Sequence, residues 1–204
     1  MTKVSLLLWD IGGVLLTNAW DLADRQLAAK QFGLDAAEFE QRHDRVVDDF
    51  ESGRMSEEDY LAQTVFYTSR PFTRAAFQQF MRERSQPHPA ALATARALRA
   101  SGDYVMAALN NESLGLNEYR IATFHLSEIF HVFLSSCFTG RRKPAVEAYR
   151  YALEIAQRRP EESLFLDDRP DNVKAAVSLG LRTVWVRDPE RLREDLGAAG
   201  VTAG

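Results

Sequence analysis

The stretch Leu6–Leu16, "LLLWDIGGVLL", determines how the rest of the chain is interpreted. A run of large apolar side chains ends in one acid, Asp10, and two glycines follow after a single residue. The run is continuously apolar, which is typical of a parallel strand covered on both faces. Gly12 and Gly13 allow a tight turn in which peptide N–H groups can face an anion. The stretch therefore predicts a buried strand that leads into a carboxyl group and an anion-binding turn.

Other apolar runs predict the remaining strands of a parallel sheet, and helical patterns lie between them. The runs lie at residues 104–109, 163–166 and 182–186, with a weaker one at 131–136. The helical patterns lie at residues 89–101, 143–157 and 170–180. Alternating strands and helices favour an α/β fold, a three-layer sandwich around a parallel, Rossmann-like sheet.

Residues 17–87 interrupt this alternation, because they contain no convincing strand. Four stretches there carry apolar residues at helical spacing, and Ser56 with Asp59 has the pattern of a helix-capping signal. The economical interpretation is a small helical cap domain inserted after the first strand, with residues 1–16 and 88–204 forming the core domain. A helical layer packed flat against the sheet is the alternative.

The composition argues against several classes of function. The chain has 204 residues, 46% of them hydrophobic, and its formal net charge of −4 does not favour nucleic acid or an anionic membrane surface as a partner. It has no run of about 20 apolar residues and no signal-peptide pattern, and its single cysteine, Cys137, fits a reducing compartment. We therefore expect a cytoplasmic protein without nucleic-acid or membrane partners. The histidines have no metal-ligand spacing and are expected to be exposed or half-buried; they are His43, His88, His125 and His131.

Polar residues follow the predicted strands in a regular order. They are Asp10, Asn110 with Asn111, Lys143 after the weak run, Asp167 with Asp168, and then Asn172. Taken singly, each has a structural explanation as a turn, a helix cap or a solvated side chain. In an open parallel sheet, however, ligands bind beyond the carboxyl ends of the strands. The order of these residues therefore predicts one shared site.

The chemistry of this set favours a metal and a phosphate. Carboxylates that lie close together repel one another, and a hard divalent ion such as Mg²⁺, which takes oxygen ligands, relieves that repulsion. The ion also lets a phosphate dianion approach a carboxylate nucleophile, and Lys143 supplies a second positive charge. The set predicts a Mg²⁺ cofactor and a small phosphorylated substrate.

Four motifs together resemble those of the haloacid dehalogenase-like (HAD) hydrolase superfamily. They are "WDIGGVL" (9–15), "ALNNES" (108–113), "GRRKPAVEAYRYAL" (140–153) and "LFLDDRPDNVKAA" (164–176). The helical insertion resembles the small cap of that superfamily. Within it, the chain is similar to bacterial alpha-D-glucose-1-phosphate phosphatases and to the N-terminal phosphatase domain of soluble epoxide hydrolases. The motifs are specific for the superfamily and poorly specific for the substrate.

The resemblance implies a role for each matched residue. Asp10 is implied as the nucleophile that forms an aspartyl-phosphate and as a metal ligand. The backbone carbonyl of Gly12 is implied as a further metal ligand, and Lys143 steadies the nucleophile and the phosphate. Asp168 is the main acid on Mg²⁺, with Asp167 beside it.

The remaining matched residues are assigned to supporting roles. Asn172 supports the acidic pair, while Asn110, Asn111 and Gly13 are assigned to binding the substrate phosphate. The usual Ser or Thr of the second motif is Asn110 here, and its amide can still donate an N–H to a phosphate oxygen.

Position 12 departs from the superfamily pattern. Many of its phosphatases carry a second aspartate there as general acid and base, whereas this chain has Gly12. General acid catalysis typically contributes about 10²–10⁴-fold, so its loss leaves a slow enzyme or changes the substrate. One hypothesis is a phosphatase whose substrate, such as a sugar 1-phosphate, has a leaving group that needs little protonation. Another is a proton from a cap acid, with candidates Asp44, Asp48, Asp49 and Glu51.

Two other functions compete with the phosphatase. A 2-haloacid dehalogenase expels halide without a proton, but it needs no metal, and Asp167–Asp168 beside Asp10 would then lack a cation. A non-catalytic protein that binds a phosphorylated metabolite is the third hypothesis, and the retained Asp10 and Lys143 argue against it. The favoured interpretation is a Mg²⁺-dependent phosphatase that acts through Asp10.

Overall fold

The computed structural model describes residues 2–203, and these form a five-stranded parallel sheet with the order β3-β2-β1-β4-β5. The strands are β1 (Leu6–Trp9), β2 (Val105–Ala108), β3 (Val132–Phe133), β4 (Ser163–Asp167) and β5 (Arg182–Trp185). The predicted parallel α/β fold is confirmed. The weak run at 131–136 yields only the two-residue β3, at an edge of the sheet.

Helices connect the strands and precede most of them. They are α1 (Leu22–Phe32), α2 (Ala36–Glu51), α3 (Glu57–Thr64), α4 (Arg74–Glu83), α5 (Pro89–Ser101), α6 (Leu114–Thr123), α7 (Ser136–Thr139), α8 (Val146–Ala156), α9 (Pro170–Ser178) and α10 (Leu192–Ala198). No helix formed by residues 2–203 combines the length and the hydropathy needed to cross a membrane.

The two faces of the sheet are covered by different helices. Along β1, Leu7 and Trp9 belong to the apolar cluster that includes residues of α5 and α10. Leu6 and Leu8 belong to the cluster that includes residues of α8 and α9. Successive side chains of a strand point to opposite faces, so a continuously apolar strand fills both layers. This is the predicted three-layer sandwich.

The helices α1–α4, here called the helical segment (Leu22–Glu83), share an apolar cluster of their own. It includes Phe39, Tyr60 and Phe77, together with Leu116 from α6 outside the segment. The side chain of Ser56 accepts a hydrogen bond from the Asp59 backbone N–H (3.0 Å) at the start of α3, as predicted. The division into a core domain and a cap domain stays a prediction.

The two linkers that enter and leave the helical segment lie side by side. The backbone N–H of Thr17 donates to the carbonyl of Gln86 (2.8 Å), and that of His88 donates to the carbonyl of Leu15 (2.9 Å). The segment is therefore attached to the sheet through one paired connection just beyond the end of β1.

Candidate active site

Parallel pairing brings the predicted site residues to one edge of the sheet. Trp9, the last residue of β1, is in register with Ala108 of β2 and Leu166 of β4. The residues that follow these strands are therefore neighbours. A cavity of about 530 Å³ opens at this edge, and its wall on the side of the sheet includes Asp10, Gly12, Asn111, Lys143 and Asn172.

Asp10 lies at the base of this site with its carboxyl group nearly buried. Its Oδ1 accepts a hydrogen bond from the Ile11 backbone N–H (2.7 Å), and its Oδ2 lies 3.1 Å from the Lys143 Nζ. Burial raises the pKa of Asp10 well above its ordinary value; the Lys143 charge opposes this rise, whereas Asp167 and Asp168 add to it. A further positive charge nearby would therefore stabilise the ionised form of the Asp10 carboxyl group.

Lys143 is fixed both by its side chain and by its backbone. Its Nζ lies 2.6 Å from Asp167 Oδ2 as well as close to Asp10. Burial alone would lower the pKa of Lys143, but the two carboxylates outweigh burial and raise it. The Asn111 amide donates to the Lys143 carbonyl (2.8 Å) and accepts from the Lys143 N–H (2.9 Å). Asn111 thus holds the lysine backbone in addition to lining the cavity.

The two acids that end β4 have different surroundings. Asp167 is fully buried and accepts hydrogen bonds from the Lys143 Nζ, the Arg169 backbone N–H (2.8 Å) and the Asn172 amide (3.0 Å to each oxygen). Asp168 Oδ2 accepts from the Asn18 amide (3.2 Å). Its Oδ1 is buried without a hydrogen-bond partner in the described chain.

These surroundings fit a divalent cation. Oxygens of Asp10, Asp167 and Asp168 all lie within 4.8 Å of one another. A buried carboxylate oxygen without a donor is costly, and a hard cation is the ligand it prefers. Asp168 Oδ1 is available for such an ion, whereas the oxygens of Asp167 are already used by Lys143, Asn172 and Arg169.

Gly13 allows the turn after β1 to approach Asp168 closely. Its φ is +69°, and a Cβ built there would overlap the Asp168 carboxyl group. We expect Gly13→Ala to lower the free energy of unfolding by about 1–3 kcal/mol, from backbone strain and this overlap, and to weaken divalent-cation binding. Denaturant unfolding and isothermal titration with Mg²⁺ check both effects.

Gly12→Ala is the matched control for this prediction. The backbone of Gly12 is outside the left-handed region, and a Cβ there would lie 3.0 Å from Asn18 Oδ1, farther than the overlap at Gly13. Gly12→Ala should lower the free energy of unfolding and the Mg²⁺ affinity less than Gly13→Ala does. A Gly13→Ala protein with wild-type stability and Mg²⁺ affinity would contradict the close approach as the reason for glycine.

Asn110 differs from its sequence-based expectation. Its amide N–H donates to Asn117 Oδ1 (3.1 Å), and its carbonyl accepts from the Ser135 hydroxyl (2.7 Å). These hydrogen bonds join buried polar side chains, and the Asn110 side chain does not line the cavity, although Asn111 does. The structure therefore brings the predicted site residues to this edge, but the Asn110 side chain is hydrogen-bonded to Asn117 and Ser135 and does not line the cavity.

One face of α2 forms the opposite wall of the cavity. Glu51 of this face was predicted from the sequence as a candidate cap acid, whereas His43 and Val47 were missed. His43, Val47 and Glu51 are spaced by four residues, so they share one face of the helix, and all line the cavity together with Trp20. His43, expected to be exposed or half-buried, is only 4% exposed. The spacing of four was the signal available in the sequence.

Arg142 ties this face of α2 to the core. Its Nε and Nη2 donate to Glu51 Oε2 (2.9 and 2.6 Å), and it also pairs with Asp48. The Ser136 hydroxyl donates to the Glu51 carbonyl (2.6 Å). The cavity is therefore enclosed by contacts between the helical segment and the core.

Arg120 holds both linkers and was also missed. It is buried, pairs with Glu112 (2.8 Å), and donates to the carbonyl of Asn18 (2.7 Å) and to the Ser85 hydroxyl (3.0 Å). Its partners come from three separate parts of the chain. No local sequence pattern marks such a residue.

The chain is similar over most of its length to two named hydrolytic enzymes. Flavin mononucleotide hydrolase 1 of Arabidopsis thaliana, a chloroplast enzyme, is 26% identical over 98% of this chain and 79% of its own length. A sesquiterpene phosphatase of Aspergillus oryzae is 26% identical over 92% of each chain. A cytoplasmic location remains a prediction for this chain.

A solved HAD family enzyme from Bacteroides thetaiotaomicron, in complex with magnesium and inorganic phosphate, has a TM-score of 0.77 at 22% identity. The match covers 89% of this chain and 93% of that one. The family model for haloacid dehalogenase-like hydrolases matches residues 4–180, which include all four motifs. This chain therefore belongs to the haloacid dehalogenase-like hydrolases, as its motifs predicted.

Proposed function

We propose that this protein hydrolyses a small phosphomonoester through Asp10, with Mg²⁺ as its cofactor. One observation carries the proposal: the Asp10 carboxyl group lies in the cavity between the Lys143 ammonium and the unpartnered oxygen of Asp168. With Mg²⁺ at the Asp168 oxygen, the Asp10 carboxylate would lie close to two positive charges, the ion and the Lys143 ammonium, and could meet a phosphate dianion. The flavin mononucleotide hydrolase and the sesquiterpene phosphatase among its relatives support this class of reaction.

The residues divide the work as follows. Asp10, Asp168 and the backbone carbonyl of Gly12 would hold Mg²⁺, and the ion would supply the positive charge that lets the phosphate approach. A carboxylate oxygen of Asp10 attacks phosphorus, and the bond from phosphorus to the leaving oxygen breaks, which gives an aspartyl-phosphate. Water then cleaves this intermediate, releasing phosphate and restoring Asp10. Lys143 holds the nucleophile, and Asp167 holds Lys143. The helical segment acts as the cap that excludes bulk water.

Phosphate release from p-nitrophenyl phosphate tests this proposal, measured with Mg²⁺ and then with excess chelator, and with Asp10→Asn as the blank. The nitrophenolate group leaves without a proton. The lack of a general acid at position 12 therefore cannot hide the activity of an intact nucleophile. Release that depends on metal and on Asp10 is expected. No release from folded, Mg²⁺-loaded protein would refute the proposal. Turnover of 2-chloropropionate without metal would assign the dehalogenase reaction instead.

Glu51 is the acid that we propose as proton donor in place of the missing aspartate. Arg142 contacts only its Oε2, so Oε1 makes no hydrogen bond to the described chain. Burial raises the pKa of Glu51 to about 7, and the Glu112 carboxylate adds to this rise, opposed by the Arg169, Arg25 and Lys143 charges.

Other acids of the cavity are committed to structural contacts. Asp21 caps α1 by accepting from the Asp24 N–H (3.0 Å), and Glu112 is paired with Arg120. Asp171 also lines the cavity but is exposed. Glu51 thus combines a free oxygen with a proton that is available near neutrality.

Glu51→Gln is expected to lower kcat on an alkyl phosphate about 10²-fold or more, and kcat on p-nitrophenyl phosphate by only a few-fold. For the wild type, kcat on the alkyl ester should fall as the pH rises through about 7, since only protonated Glu51 can donate. The variant should lack this decline. Steady-state kinetics over a pH series measure both effects.

Asp48→Asn is the matched control, because it removes the other carboxylate on Arg142 and leaves the Glu51 acid in place. It should affect the two substrates equally. If Glu51→Gln also slows both substrates to the same extent, Glu51 has a structural role and not that of a proton donor.

A further inference from the structure

A buried chain of hydrogen bonds inside the helical segment ends at the cavity. The Trp20 indole N–H donates to the Tyr60 hydroxyl (3.0 Å), and this hydroxyl lies 2.8 Å from His43 Nδ1. Tyr60 is fully buried, whereas Trp20 and His43 line the cavity. None of the three side chains takes part in the chemistry proposed above.

The direction of the protons in this chain follows from the available donors. The indole N–H of Trp20 can only donate, so it cannot take the proton of the Tyr60 hydroxyl. The other close partner of that hydroxyl is His43 Nδ1, which we assign as the acceptor of the Tyr60 proton. A neutral imidazole that accepts at Nδ1 carries its own proton on Nε2.

His43 lines the cavity, and Nε2 is the ring nitrogen left to meet it. Nδ1 is turned toward Tyr60, and Nε2 makes no hydrogen bond to any of residues 2–203. Burial lowers the pKa of His43 to about 4, and the Arg25 charge adds to this effect, whereas Glu40 opposes it. The ring is therefore neutral at neutral pH and presents one N–H donor with no positive charge.

The neighbours keep the ring in this orientation. Arg25 donates to both carboxylate oxygens of Glu40 (2.8 and 2.5 Å) and to the Trp20 carbonyl (2.6 Å). Trp20 is fixed in turn by its bond to Tyr60. A donor held by packed partners is positioned before the substrate arrives, which lowers the cost of binding.

We propose that His43 is a specificity-determining residue whose Nε2–H donates to an oxygen or nitrogen acceptor on the organic part of the substrate. This inference rests on the phosphatase function proposed above, in which Asp10 and Lys143 hold the phosphate on the opposite wall. A hydrocarbon group placed against His43 leaves a desolvated donor without a partner, and such a site discriminates strongly against it. The site therefore selects phosphomonoesters of polar alcohols and rejects those of terpenoid alcohols.

Two substitutions separate the donor from the rest of the chain. In His43→Asn, the amide oxygen can replace Nδ1 as the acceptor for Tyr60, but nothing replaces Nε2–H. In His43→Gln, the longer side chain carries an amide N–H close to the position of Nε2. Comparison of the two variants therefore tests the donor and not merely the packing of α2.

The experiment measures kcat/KM for a hexose 1-phosphate, flavin mononucleotide, cyclohexyl phosphate, farnesyl phosphate and p-nitrophenyl phosphate in the wild type and both variants. For the better polar ester, His43→Asn should lower kcat/KM roughly tenfold or more, mainly through KM, and His43→Gln should restore much of it. The other three substrates should change by about threefold or less, because the organic groups of cyclohexyl and farnesyl phosphate carry no acceptor and the nitro oxygens of p-nitrophenyl phosphate are weak acceptors. For each substrate, the ratio of kcat/KM in the variant to kcat/KM in the wild type removes the effect of its leaving group.

Three outcomes would overturn the inference. They are an equal loss on all five substrates, no loss on the polar esters, and a wild-type preference for farnesyl phosphate over both polar esters. Turnover of p-nitrophenyl phosphate tests the proposed phosphatase function separately, because hydrolysis of this ester is not expected to depend on His43. A second readout needs no activity: ¹⁵N NMR of histidine-labelled protein should show His43 as the neutral Nε2–H tautomer at neutral pH. A protonated ring or the Nδ1–H tautomer would also overturn the inference.

Discussion

Asp10→Asn is expected to abolish phosphate release while making the metal-free protein more stable. An amide cannot attack phosphorus as a carboxylate does, so turnover should fall at least about 10³-fold. Burial and the neighbouring acids Asp167 and Asp168 raise the pKa of Asp10, so folding is opposed by its negative charge at neutral pH. Removing that charge should raise the free energy of unfolding by about 1 kcal/mol or more.

Phosphate release and denaturant unfolding in chelator measure the two effects. Asp171→Asn is the control, since Asp171 is another acid that lines the cavity but makes no ion pair with Lys143. Its turnover should stay within a few-fold of the wild type. An Asp10→Asn protein with near-native turnover would exclude Asp10 as the nucleophile.

Lys143→Met is expected to cause the largest loss of stability. Lys143 is the ammonium that compensates Asp10 and Asp167, and methionine keeps much of its volume but none of its charge. Removing one partner of a buried ion pair typically costs about 3–5 kcal/mol, because the remaining charges stay buried. Phosphate release should also fall steeply, since the nucleophile is no longer held.

The loss of stability in Lys143→Met should depend on pH and on Mg²⁺. Without Lys143, the two carboxyl groups bind protons more tightly in the folded state, so the variant gains stability as the pH falls. The difference from the wild type should be larger near about pH 8 than near about pH 5, and Mg²⁺ should restore part of it. Urea unfolding at both pH values tests this, with the exposed Lys174→Met as the control. Equal stability of Lys143→Met and the wild type at the higher pH would contradict the ion-pair argument.

Features that depend on local pattern were predictable from the sequence. The continuous apolar run before Asp10 predicted a central strand, because only a strand covered on both faces needs apolar residues at every position. Parallel pairing then placed Asp10 and the Asp167–Asp168 pair at the same edge of the sheet. The weak run yielded only the two-residue β3 at one edge of the sheet.

Features that depend on contacts between distant residues were not predictable. The amide of Asn110 is hydrogen-bonded to Asn117 and Ser135, which are 7 and 25 residues distant. Likewise, the different surroundings of Asp167 and Asp168 arise from Lys143 and Asn18. Hydrogen bonds of this kind are decided by packing, and no spacing in the sequence encodes them.

The linkers at Thr17 and Gln86 pair with each other where the helical segment leaves the core. Both ends of the segment leave the core at one point, so an inserted sequence of another length closes its loop there at little extra entropic cost. The strands that pair with β1 are β2 and β4, and neither belongs to the helical segment. A change in the wall that carries His43 and Glu51 would therefore leave the strand that positions Asp10 in place.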